Sequence, residues 1–265
     1  GEDLCPLLGR GRGGGSLINA GGMVMPDRAV FGSARWPAAF RERATVDALF
    51  ELGEALGQRL GATRTVESVD HPKPLKYQAL GSFHGGLGVK PLPVTVALAG
   101  EKQEDFHTAA GVRIDACIRC GDCATGCNHN AKVSLDVTLL AQARQHGAQL
   151  FTGATVLRIE KDKGDDDARP VWHLHVVHTD EPLRRRQGQA TVIRARHVVL
   201  AAGTFGSTEI LLRSQEAGLR LSHKLGHQVS ANGDLIAAAY RGRHEANCAG
   251  DEDVDPTRVP AHQRV

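Results

Sequence analysis

Four thiols stand within eleven residues, Cys117, Cys120, Cys123 and Cys127, in the run CIRCGDCATGC. Packing does not explain such density, because a core needs volume rather than sulfur. The spacing C-x2-C-x2-C-x3-C is that of an iron–sulfur run, except that Asn128 stands where proline would follow the last cysteine. In two-cluster proteins the fourth cysteine of such a run serves the other cluster, so three local ligands are expected here, with Cys5 or Cys248 as the only candidates for a fourth. A three-iron cluster needs no fourth ligand. Zinc fits less well, since its paired knuckles usually lie about a dozen or more residues apart. Structural thiols or disulfides are the third reading. Lys132, just after the run, is read either as the partner of a phosphate or thiolate or as a surface side chain.

A second feature could approach a ligand through backbone alone. Glycine occupies positions 9, 11, 13, 14, 15, 21 and 22 of GRGRGGGSLINAGG. Such a stretch suits a chain that must turn tightly or lie against a ring or phosphate. Further on, His197-Val-Val-Leu-Ala-Ala-Gly203 is a short apolar run ending in glycine, followed by Ser207 as a helix cap. A buried parallel strand, a glycine and a helix N-terminus in that order form the crevice where α/β sheets take ligands.

The elements that would position these residues follow from periodicity. Val46, Leu49, Phe50, Gly53, Leu56 and Leu60 have helical spacing, with Thr45 as cap and Gly61 as stop. Residues 70–116 are rich in proline and glycine and are expected to be mostly loop with short strands. A helix is expected from Ser134 to His146, ended by Gly147, and a strand from Leu150 to Lys161. The alternation of Trp172, Leu174 and Val176 against His173 and His175 predicts a hairpin partner, its histidines solvated. Arg184, Arg185 and Arg186 are read as an exposed turn before a short strand, Ala190 to Arg194. Residues 241–265 are read as a tail.

Here the residues carry a resemblance. The segment from Gly9 to Asn19 resembles the first signature of the glucose–methanol–choline (GMC) oxidoreductases, which are FAD enzymes, and GTFGSTEILL (203–212) resembles the second. CNHNAKVSLDVTLL, GATVLRIEKD and LGHQVSANGD are similar to the cholesterol-oxidase-like branch. Arg12 departs from the pattern, which has an aliphatic residue there, as does Thr208, where Pro or Ser is usual. The resemblance implies an α/β fold: a partial FAD-binding domain, a mixed sheet with flanking helices, carrying a loop-rich insertion. The implied division is 1–30 as the first part of the FAD-binding core, 31–133 as an inserted loop and helix region with the cysteine run, 134–240 as the second part, and 241–265 as tail. It places Gly14, Gly15, Ser16, Asn19 and Gly21 along the cofactor, the Val156 backbone at the adenine, Ala202 and Gly203 near the pyrophosphate, and Asn232 and Asp234 beneath the isoalloxazine or ribityl chain. Some family dehydrogenases carry an iron–sulfur cluster near the position of the cysteine run. The G-x-G-x-x-G unit that opens the family and its C-terminal His/Asn pair are not recognised here, so the chain is expected to be a central piece of a longer enzyme and no catalytic residue is assigned.

The implied reaction is oxidation of a CH–OH group of an alcohol or sterol-like substrate, with hydride passing to flavin N5 and oxygen or an electron-acceptor protein as final partner. The alternatives are an iron–sulfur electron-transfer module or an inactive truncated flavoprotein fragment. Composition narrows the field. A net charge of 32 − 30 = +2 and 4% aromatic residues argue against nucleic acid or an anionic membrane as partner. No apolar run reaches the roughly 18 residues that cross a bilayer, and no secretory signal is recognised, so a cytoplasmic setting is expected.

Overall fold

The structure is a computed structural model that describes residues 8–62, 92–99, 105–162 and 171–230. These fall into two compact units, one ending at Leu150 and one beginning at Phe151. Residues 8–30, the described part of the loop-rich region and residues 134–150 share the first unit. Helices and antiparallel sheets mix in the chain, the α/β class expected.

The first unit is held by a ladder of short extended segments. Gly22 bridges Val94, and Val96 bridges Lys132, both antiparallel. The segment around Thr95 and Val96 is therefore central. The Thr95 N–H donates to Gly21 O at 2.7 Å, and Val133 N–H donates to Thr95 O at 2.8 Å. This run is buried from Thr95 to Leu98, as a strand covered on both faces must be. Ala97, Ile114 and Val133 form its core, with Phe106 and Val137 packed against them. Two-residue strands β1 (Phe106–His107) and β2 (Arg113–Ile114) pair antiparallel beside it.

Helices α1 (Ala38–Arg41) and α2 (Arg43–Arg59) precede the ladder. Helix α2 begins two residues before the expected cap, with Glu42 at the N-cap, so Thr45 lies inside its first turn. Val46 faces inward, and Phe31, Trp36, Phe40 and Phe50 make a chain of ring contacts at its base. The helix expected from Ser134 is shorter: α3 spans Leu139–Gln145 with Thr138 at the N-cap. The residues before it wind as turns because Ser134 and Thr138 satisfy each other locally. Ser134 Oγ bonds the Asp136 carboxylate, and Thr138 Oγ1 donates to Ser134 O at 2.9 Å.

The second unit is a three-stranded antiparallel sheet of β3 (Ala154–Lys161), β4 (Trp172–His178) and β5 (Thr191–Ala195), in that order. The expected hairpin pairing of β3 with β4 is present, with a register shift between Val156 and Arg158 that leaves Leu157 as the extra residue. The triple arginine forms a helix rather than a turn: α4 spans Glu181–Gln187. Asp180 caps it by accepting the Leu183 N–H at 3.1 Å, Pro182 stands in its first turn, and the three arginines fall in its last turn, where the helix dipole favours cations.

Helix α5 (Gly203–Glu216) starts four residues before the expected cap. Ser207 lies inside it, and its Oγ accepts the Ala202 N–H at 3.0 Å. The buried parallel strand expected over 197–203 is not formed. Residues 197–202 pair with no strand among the described residues, and Val199 is 89% exposed. An apolar run shows that a segment can be buried on both faces; it does not supply the neighbours.

Candidate functional site

The glycine-rich segment is a built loop. After Gly13, residues Gly14–Leu17 wind one 3-10 turn, and Asn19 N–H donates back to Gly15 O at 3.0 Å. Ser16 Oγ donates to Gly13 O at 2.7 Å and accepts the Leu135 N–H at 3.0 Å, pinning the turn to the segment before α3. Asn19 Oδ1 accepts the Gly21 N–H at 3.2 Å, closing a side-chain turn that feeds into the ladder. Gly14 has φ of +54°, and a Cβ added there or at Gly15 would meet nothing within 4 Å. Gly9 is the opposite case, since its Cβ would lie 2.7 Å from Gly14 O. The loop is thus packed at its base and bare at Gly14 and Gly15.

Lys132 fixes this loop from beneath. It is 5% exposed, not a surface side chain. Its ammonium donates to Asn19 O at 2.5 Å, Cys123 O at 2.9 Å and Leu17 O at 3.1 Å. Three donors meet three acceptors, so none of its protons is left for a phosphate. Burial lowers the Lys132 pKa, opposed by the neighbouring thiols of Cys123 and Cys127. Sequence reasoning missed this role; its one signal was a lysine set between the small apolar residues Ala131 and Val133 in a stretch now seen to be a sheet rung.

The cysteine run packs against the same loop. Its four thiols are free and partly buried. Among the described residues no three His, Cys, Asp or Glu side chains gather as a group able to hold a metal. Two of the four thiols turn to the backbone. Cys117 Sγ accepts the Arg119 N–H and Cys127 Sγ the Ala131 N–H, each at 3.4 Å. Cys117 N–H donates to Ala97 O at 2.8 Å, tying the run to the central segment. Burial pushes the Cys117 thiol up to about 11, and it raises the Cys123 thiol as well. A metal would take these thiols only as thiolates, releasing their protons as it bound. Cys5 and Cys248 lie outside the described residues.

In the second unit, Gly203 is the first residue of α5, with φ of +75° and open space where a Cβ would be. Ala202, its N-cap, is exposed. Val156 lies in β3, half-buried and paired with Val176. Among the described residues β3 is the edge of its sheet, and Ser214 of α5 covers part of it: Ile159 N–H donates to Ser214 Oγ at 2.9 Å. Asn232 and Asp234 lie outside the described residues. Along β4, the histidines expected in solvent are partly shielded. His175 Nε2 lies 3.2 Å from Glu160 Oε1, and His173 Nε2 3.8 Å from Asp162 Oδ2. Arg158 Nε donates to Glu160 at 2.7 Å and, with help from His175, holds the Glu160 carboxyl below its usual range.

A GMC oxidoreductase model matches residues 2–232. The chain belongs to the GMC oxidoreductase family. Within it, the chain is similar to cholesterol oxidase from Mycobacterium tuberculosis, 29% identical over 248 residues that cover 88% of this chain and 40% of the relative. It is also similar to cholesterol oxidase from Acinetobacter baumannii, 25% identical over 241 residues, 87% of this chain and 42% of that one. A third relative is the 6'''-hydroxyparomomycin C oxidase of Streptomyces lividus, 28% identical over 165 residues, 62% of this chain and 27% of that one. This GMC chain thus spans about two fifths of the length of the cholesterol oxidases it matches. No helix among its described residues is long and apolar enough to cross a membrane.

Proposed function

We propose that this chain lines the FAD of a GMC oxidoreductase and that the whole protein oxidises a CH–OH group, a sterol-like alcohol being the first substrate class to test. The observation that carries the reading is the glycine-rich loop: firmly seated, yet bare at Gly14 and Gly15. A backbone without side chains can lie against a flat ring, and a rigid one does so without an ordering cost at the moment of binding.

The residues divide the work as follows. Gly14 and Gly15 offer peptide groups to the cofactor, while Ser16, Asn19 and Gly21 hold the loop's shape through their own hydrogen bonds. Ala202 and Gly203 stand at the N-terminus of α5, where helix amides and the dipole favour a pyrophosphate. Ala202's own N–H is taken by Ser207, so Gly203 and the amides after it are the donors on offer. The Val156 backbone, on an edge strand, would meet the adenine, and Asn232 and Asp234 the isoalloxazine or ribityl chain. When bound, FAD supplies the two-electron acceptor for the hydride lost from the carbinol carbon. Oxygen or an electron-acceptor protein would regenerate it. The names of the relatives support a hydroxyl-bearing small molecule as substrate.

The test is titration of the purified chain with FAD, followed by dialysis. The expected outcome is retained flavin with resolved absorbance near ~450 nm and a loss of retention in Gly15→Val. A chain that keeps no flavin at micromolar FAD defeats the reading. Turnover of cholesterol against simple primary alcohols, with oxygen or a dye as acceptor, then decides the substrate class.

A further inference from the structure

We infer that Lys132 is the positioning residue of the glycine-rich loop and that the cysteine run is the second jaw of the same clamp, acting through its backbone. The loop's place beside FAD rests on the function proposed above; the clamp itself rests on geometry alone.

A lysine ammonium is a compact charge with three donors, strongly hydrated in water and costly to bury. It is kept in a protein interior only where every proton finds an acceptor. Lys132 meets that condition with carbonyls from two otherwise separate segments: Leu17 and Asn19 of the loop, Cys123 of the run. Its own backbone is fixed in turn by the bridge to Val96. The side chain therefore transmits the position of the ladder to the loop. Leu17 and Asn19 follow closely after the bare stretch at Gly14 and Gly15, so the clamp sets the angle at which those peptide groups face outward.

The run completes the grip from its side. Gly126, with φ of +110°, supplies the left-handed backbone turn beside Leu17; a Cβ there would make only an ordinary contact, 3.9 Å from Leu17 O, so the turn and not the space calls for glycine. Cys127 Sγ caps the Ala131 N–H, one residue before the lysine. What the clamp draws from Cys123 is its carbonyl and not its sulfur. Two of the four thiols, Cys117 and Cys127, thereby have a structural use, each satisfying a backbone amide as the segment bends past the buried ammonium.

The experiment uses the full chain and four variants: Lys132→Met, Lys132→Ala with and without added propylammonium, Cys120→Ala, and Lys224→Met as an exposed-lysine control. Amide hydrogen exchange over residues 14–21 is read without FAD, and FAD affinity is read separately by flavin fluorescence. Lys132→Met is expected to speed exchange over 14–21 at least tenfold with β3 and β4 unchanged, and to weaken FAD at least tenfold. Propylammonium is expected to reverse both effects in Lys132→Ala in a concentration-dependent way. Cys120→Ala and Lys224→Met are expected to stay within twofold of the parent in both readouts. Exchange over 14–21 within twofold of the parent in Lys132→Met overturns the clamp, and a tenfold loss in Cys120→Ala overturns the backbone role of the run. Should Lys132→Met not fold, the amine dependence of Lys132→Ala decides: rescue supports the clamp, and its absence overturns it. A parent chain that binds no FAD defeats the proposed function but leaves the exchange result to judge the clamp.

Discussion

The Nζ of Lys132 lies 2.5 Å from the carbonyl oxygen of Asn19, a contact across 113 residues of sequence. It joins the end of the glycine-rich loop to the last rung of the ladder, and the same ammonium reaches Leu17 and Cys123. Removing one partner of a buried charged set leaves the others desolvated and unpaired. Lys132→Met, which keeps the length of the stem, is expected to lower the unfolding free energy by about 2–4 kcal/mol. Urea unfolding followed by circular dichroism checks this, and a loss below about half a kcal/mol would mean the carbonyls find water instead.

The thiols make a second prediction, in pH. Cys117 is pushed up from 9.0 to about 11, by burial first. A group whose folded value lies above its unfolded one favours folding while it is protonated. That contribution is complete below pH 9 and is lost as the pH rises towards 11, because the unfolded chain gives up its proton first. Cys123, raised in the same direction, adds to the trend. Lys132 opposes it, since its lowered value makes folding more favourable as the unfolded chain nears 10.5. The expected net result is a fall in stability of up to about 2 kcal/mol between about pH 9 and 11, smaller in Cys117→Ala. Urea midpoints at three pH values measure it; equal slopes in parent and variant would rule out Cys117 as the source.

The glycines of one loop are expected to part company. Gly9→Ala puts a Cβ 2.7 Å from Gly14 O and has only backbone to push against. A cost of about 1–3 kcal/mol is expected, as for other overpacked sites. Gly15→Ala meets open space and is expected to change stability by less than about 1 kcal/mol. Under the function proposed, the ranking for flavin reverses, with Gly15→Ala and more so Gly15→Val losing FAD from a folded protein. Thermal melts and flavin titrations on the same samples separate the two effects.

Much of this architecture was legible from local chemistry. The α2 periodicity, the alternation of β4 and the strand-forming run of β3 each state their own structure, because the period of burial is written in neighbouring residues. The arginine helix was missed because three like charges look like a turn unless Asp180, Pro182 and Gly188 are read together as start and stop signals. The clamp was not legible at all. Its acceptors are main-chain carbonyls, which every residue carries, and nothing in the side chains of Leu17, Asn19 and Cys123 marks their carbonyls as the three that converge. The segment 197–202 shows the converse error: an apolar pattern with no strand beside it among the described residues leaves Val199 exposed.

Ser214 is fully buried, and its hydroxyl does two jobs: it donates to Ile210 O at 2.6 Å and accepts the Ile159 N–H at 2.9 Å. The first bond is local to α5 and replaceable. The second satisfies an amide of β3 just past the bulge, on the side where the sheet order leaves β3 without a further strand among the described residues. Ser214→Ala removes the acceptor but keeps the volume nearly constant, so the cost is that of one unsatisfied buried amide, about 1–3 kcal/mol. Ser214→Cys, whose sulfur can still accept weakly, is expected to fall between parent and alanine. Hydrogen exchange gives the local reading: the Ile159 amide should be released in Ser214→Ala while amides of β5 keep their protection. If both strands exchange alike, the bond contributes only to global stability and the edge needs no such cover.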